Sequence, residues 1–176
     1  RAAILSAALV AACGSPSEPT AGPQFEVMEQ TIPELQDAMA AGRVTSHELV
    51  EQYLARIEAY DQRGPGLNAM ISLNAAALDE ADALDQERAS GSVRGPLHGV
   101  PVVVKDNYDM VGLPTTAGSV ALADWYPPDD AYQVARLKAA GAILIGKTNM
   151  HELAYGIETI SSLGGQTRNP YDPTRN

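Results

Sequence analysis

A chain of 176 residues with 45% hydrophobic side chains is long enough to enclose a core, and 22 acidic against 12 basic side chains leave it at a net charge of −10. That balance, without a basic patch, argues against nucleic acid as a partner. Cys13 is the only cysteine, which excludes a disulfide within the chain, and three histidines (His47, His98, His151) without a cysteine pair offer no metal-binding pattern.

In chain order, Arg1 is followed by an apolar run, Ala2 to Ala12, that is too short to span a bilayer. Val10-Ala-Ala-Cys13 is similar to the cleavage box of bacterial lipoproteins. The expectation is therefore a signal segment at residues 1–12, with Cys13 as the lipidated first residue of a protein of the bacterial cell envelope. An inert thiol is the alternative. Residues 13–30 follow as a tether, because Pro, Gly and Ser dominate from Gly14 to Gln24 and too few apolar groups are present to repay ordering. Residues 31–176 form the folded domain.

Thr31-Ile-Pro-Glu34 has capping-box spacing with proline in the first turn, and Gly42 supplies a stop. Thr45-Ser-His-Glu48 repeats the device, and Leu49, Val50, Tyr53, Leu54 and Ile57 then share one helical face. His47 falls in a first turn, as a solvated residue. A third helix, acidic and Ala-rich, is predicted from Asn74 to Arg88 with Gly91 beyond it.

Leu97 to Asn107 (Leu-His-Gly-Val-Pro-Val-Val-Val-Lys-Asp-Asn) is an apolar β-branched run bounded by Gly-Pro punctuation. It reads as a buried strand that ends by presenting Lys105. Such a lysine is either a surface cation paired with a carboxylate or a chemical tool, since burial disfavours the ammonium and yields a neutral amine. The loop from Asn107 to Pro128 carries Thr115-Thr-Ala-Gly-Ser119, whose hydroxyls serve a ligand or their own backbone. Trp125 and Tyr126 read as a packing anchor. Asp129 or Asp130 then caps a helix whose buried face is Ala131, Val134, Leu137 and Ala140, and Gly141 ends it. Ala142 to Ile145 is the next strand. Strand, helix and strand in this order form a βαβ unit with parallel strands, which puts Lys105 at the carboxyl edge where open α/β sheets gather ligands.

Gly141-Ala-Ile-Leu-Ile-Gly-Lys-Thr148 matches the phosphate-loop pattern, but a strand interior does not point successive amides at one anion. His151-Glu-Leu-Ala-Tyr155 lacks the second histidine of a zinc helix. Thr148 to Glu152 is predicted to open a further short helix, and Ser161 and Ser162 read as loop or turn residues.

The segments Gly95 to Asn107, Gly112 to Ser119, Ala140 to Ala154 and Gly165 to Arg175, in that order and spacing, resemble the amidase signature family. The resemblance implies an α/β fold with a mixed twisted sheet covered by helices, preceded by an N-terminal helical region. It implies hydrolysis of a carboxylic amide of a small-molecule substrate, at C–N bonds other than peptide bonds, through an acyl-serine intermediate and without a cofactor. Lys105 falls on the lysine of the family's Ser-cisSer-Lys triad, and Ala154 falls where some relatives line the acyl pocket. The cis-serine, in a Gly-Gly-Ser-Ser-Gly-Gly segment, and the nucleophile are expected past Asn176, so residues 31–176 are expected to be the N-terminal portion of the domain and inactive alone. The competing readings are a non-catalytic binding lipoprotein and a glutaminase-like amidotransferase A subunit.

Overall fold

The structure, a computed structural model, describes residues 25–176; the expected signal segment and Cys13 lie outside the described residues. Packing begins at Phe25 and Val27, the latter buried against Leu35, Met39 and Val100, so the last residues assigned to the tether join the core.

Helix α1 (Ile32–Ala40) and helix α2 (Ser46–Ile57) each start in a complete capping box, Thr31 with Glu34 and Thr45 with Glu48. Each box satisfies two otherwise unpaired amides of a first turn. Leu49 and Val50 of α2 are fully buried. Burial of such side chains stabilises by about 1.5–3 kcal/mol each. α2 runs on into one π-turn, Glu58–Gln62, which places the Asp61 carboxylate under the next strand. That strand, β1 (Met70–Leu73), is absent from the sequence reading. Asp61 accepts hydrogen bonds from the amides of Ala69 (2.5 Å) and Met70 (3.2 Å), fixing where β1 begins.

Helix α3 (Ala77–Ala89) starts three residues later than predicted, because Asn74 Oδ1 accepts from Ala76 N in a local turn before the helix opens. β2 (Pro101–Lys105), α4 (Tyr132–Ala139) and β3 (Ile143–Thr148) complete the predicted βαβ unit, with β2 and β3 parallel. β1 pairs antiparallel with β3, so the sheet is mixed, in the order β1-β3-β2. Alternation along β3 serves both faces. Ile143 and Ile145 pack with Val50, Ala81 and Leu84 under α2 and α3, while Leu144 joins Val104 and Val134 under α4.

Three local expectations are corrected. Neither Asp129 nor Asp130 caps α4, whose first turn has no side-chain cap; Asp130 instead accepts from Val111 N and pairs with Lys138 at 2.8 Å. Thr148 opens no helix, because it continues the β3 ladder opposite Lys105 and Met70. Trp125 and Tyr126 are 53% and 59% exposed, so they anchor no packing among the described residues.

Candidate active site

The carboxyl end of β2 and β3 is where the chemistry-bearing side chains gather. Lys105 is the last residue of β2, held opposite Thr148, with its carbonyl accepting from Tyr108 N at 3.0 Å. Its side chain is exposed, and none of the ion pairs among the described residues involves it. The lysine that is buried among these strands is instead Lys147 of β3.

Lys147 is fully buried. Its Nζ donates to Pro114 O (2.7 Å) and Thr115 Oγ1 (2.9 Å) and stands 3.0 Å from Asp106 Oδ1. The Asp106 contact is ionic rather than a directed hydrogen bond, and Oδ1 has no other partner. Asp106 Oδ2 accepts from Thr116 Oγ1 and from Gly118 N at 3.2 Å. Burial lowers the pKa of the Lys147 ammonium below its ordinary value, and the Asp106 carboxylate, with Asp109 as a further anion, offsets only part of that. The sequence offered one signal for this pair, a lysine set into an apolar strand.

The loop after β2 wraps this pair. Ala117 N donates to Asp106 O at 3.2 Å, and Ala117 and Gly118 are both left-handed, at φ 50° and 74°. A Cβ on Gly118 would sit 2.9 Å from Ser161 Cβ, so glycine is required by both conformation and space. On its outer side the loop is tied to the chain after β3, by Leu153 N to Ala117 O (2.8 Å) and Leu163 N to Gly118 O (3.1 Å). Glu152–Ala154 form a single 3₁₀ turn with Leu153 and Ala154 left-handed, not a helix presenting His151. Ala154 itself is exposed.

Ser161 and Ser162 are occupied structurally. Ser161 lies in β4 (Ile160–Ser161), paired with β5 (Gly165–Gln166), and its hydroxyl donates to Asn149 Oδ1 at 3.0 Å and accepts from Gly164 N at 2.9 Å. Ser162 Oγ accepts from Val120 N at 3.1 Å, and Ser162 N donates to Glu152. Asn149, unremarked in the sequence, joins three segments: its Nδ2 donates to Gly165 O and Thr167 Oγ1, both at 3.2 Å, and its backbone N donates to Ala69 O at 2.7 Å. The residues that match a phosphate loop are largely strand β3, their amides spent on the ladder.

A family model described as Amidase matches residues 48–176. The chain is 41% identical over 151 residues to the glutamyl-tRNA(Gln) amidotransferase A subunit of Streptomyces coelicolor, covering 85% of this chain and 30% of that protein. It is 46% identical over 143 residues to the protein of the same name from Salinispora tropica, covering 81% and 28%. Among solved structures, the native peptide amidase of Stenotrophomonas maltophilia is similar with a TM-score of 0.80 at 47% identity, covering 84% of this chain and 31% of that one. The chain thus spans about 30% of the length of the curated relatives it matches.

Proposed function

Because the chain belongs to the amidase family, matched over residues 48–176, we propose that the protein hydrolyses a carboxylic amide through an acyl-serine intermediate with Lys105 as general base and acid. The observation that carries this reading is the placement of Lys105 as the last residue of a parallel strand, at the carboxyl end of the sheet, beside a loop fixed by a buried polar network. In this mechanism the Lys105 amine takes a proton from the cis-serine, which takes one from the nucleophile as it attacks the carbonyl carbon. The proton returns to the leaving nitrogen, ammonia or an amine departs, and water cleaves the acyl-serine. Both serines are to be sought in the reading frame past Asn176.

The proposed substrates are small-molecule amides at C–N bonds other than peptide bonds. Similarity to a peptide amidase puts peptide amides into the same assay panel. Ala154, held next to the loop through Leu153 N, is proposed to line the acyl pocket. Cys13, after Val10-Ala-Ala, is proposed to carry a lipid that anchors the protein in the bacterial envelope.

The second reading, an amidotransferase A subunit, is favoured by the names of relatives 41% and 46% identical. It predicts glutaminase activity that depends on partner subunits, and no lipid on Cys13.

The test is to express the protein with its downstream frame and measure ammonia release across an amide panel. Lys105→Ala is expected to lower kcat/KM by about 100-fold or more while the fold is retained. Turnover near that of the unsubstituted protein overturns the assignment of Lys105.

A further inference from the structure

A buried ion pair is a poor source of stability, because desolvation consumes most of the attraction between its charges. The pair formed by Lys147 and Asp106 is nonetheless sealed completely, with side chains 0% and 1% exposed, and it sits at one particular place. Asp106 directly follows Lys105. Its backbone N donates to Thr148 O at 3.1 Å, continuing the β2–β3 ladder one step past Lys105. Its carboxylate and carbonyl hold Thr116, Ala117 and Gly118, while Lys147 holds Pro114 and Thr115. Two residues, through their charged side chains and the backbone of Asp106, therefore grip five consecutive residues of the loop and the end of the strand that presents Lys105.

The ammonium of Lys147 is fixed by two directed hydrogen bonds and one ionic contact, with no exposure to a substrate. Lys147 is thus unsuited to carry protons in the reaction. Lys105 lies outside this network and forms none of the ion pairs among the described residues. A rigid mount beneath it suits a catalytic group, since small displacements of such a group cost large factors in rate. Two consecutive left-handed residues, Ala117 and Gly118, are held in the loop by the same carboxylate and carbonyl. For Ala117, which lacks glycine's freedom, that conformation persists only where surrounding contacts over-determine it.

We propose that Lys147, Asp106 and Thr116 form a buried positioning network that fixes Lys105 and the 114–118 loop in their working arrangement. The network touches no substrate and acts through Lys105. The proposal rests on the catalytic reading of Lys105 above, and the experiment separates the two.

The protein with its downstream frame is assayed on p-nitrophenyl acetate, whose good leaving group keeps residual turnover measurable without the base. Thr116→Val and the double variant Asp106→Asn/Lys147→Gln are each made in the Lys105 protein and in the Lys105→Ala protein. Rates are normalised to the folded fraction. With Lys105 present, kcat is expected to fall by about tenfold while KM moves by less than about threefold. In the Lys105→Ala background the same changes are expected to cost less than about twofold, because a group that acts through another loses its effect when that other is gone.

Equal losses in the two backgrounds, or no loss with Lys105 present, overturn the positioning role. Thr116→Val removes a single hydroxyl, so it decides the matter even where the double variant does not fold. Lys105→Ala turning over as fast as the parent sinks the catalytic reading itself, and the role of the network with it.

Discussion

Lys147 Nζ stands 3.0 Å from Asp106 Oδ1 with both side chains shut off from solvent. Lys147→Met removes one charge and leaves the other buried. The expected loss is about 3–5 kcal/mol. Adding Asp106→Asn removes the stranded carboxylate while keeping an acceptor for Thr116 and Gly118, and is expected to recover at least about 1 kcal/mol. Urea midpoints at unchanged slope measure both numbers. A double variant less stable than Lys147→Met alone contradicts the account.

Gly141 follows α4 at φ 83°, where a Cβ would lie 2.9 Å from His98 Cα. His98 has no room to move. It is fully buried, with Nε2 3.0 Å from Leu84 O and Nδ1 accepting from Arg94 N at 3.3 Å. Gly141→Ala therefore combines a left-handed alanine with overpacking against backbone, for about 2–4 kcal/mol. Gly42, at φ 66° with nothing within 4 Å of a Cβ, carries only the first cost, about 1 kcal/mol. Thermal melting of the two variants side by side tests whether space, beyond conformation, fixes glycine at 141.

What the sequence reveals here is what depends on near neighbours. Both capping boxes and the α2 stripe follow from spacing and punctuation within a dozen or so residues, the parallel pairing of β2 with β3 follows from the strand-helix-strand order, and all stand in the structure. What escapes it depends on distant partners. β1 has four residues and no distinctive pattern, and exists as a strand because β3 offers it a ladder. Asp130 has the look of a helix cap but is claimed by Val111 and Lys138. The same limit hides the role of Lys147: its acceptors at 106, 114 and 115 are more than thirty residues away in sequence, and the apolar strand around it is the only local sign of a buried lysine. That Lys105 ends a strand is legible for the opposite reason, since an apolar β-branched run that stops at Lys-Asp-Asn is a local feature.

Asp61 shows how one such distant contact sets a boundary. The carboxylate, 4% exposed at the π-turn, accepts from the amides of Ala69 and Met70 and from Gln62 Nε2 at 2.8 Å. Asp61→Ala leaves the partly buried amides of Ala69 and Met70 without this acceptor, and a loss of about 1–3 kcal/mol is expected. Hydrogen exchange gives the sharper check. The amides of Ala69 and Met70 are expected to lose protection well before those of α1, and unchanged protection there argues against Asp61 as the anchor of β1.

His47 gives the chain a pH-sensitive contact. Partial burial works against its imidazolium, but the hydrogen bond and charge of Asp82 at 2.8 Å, with Glu51 at 3.5 Å, outweigh it and raise its pKa above the ordinary histidine value. A raised folded-state value means that the contribution is fully present below the unfolded pKa of about 6.5 and is lost as pH rises through the folded one. The partners are exposed, so the effect is no more than about 0.5 kcal/mol. His47→Gln is therefore expected to cost more at pH 5.5 than at pH 8.5, with the difference shrinking in high salt, as paired urea titrations at the two pH values will read. A cost that is equal at the two pH values places the stabilisation in the Asp85 contacts to the amides of Ser46 and His47, which no protonation of the ring affects.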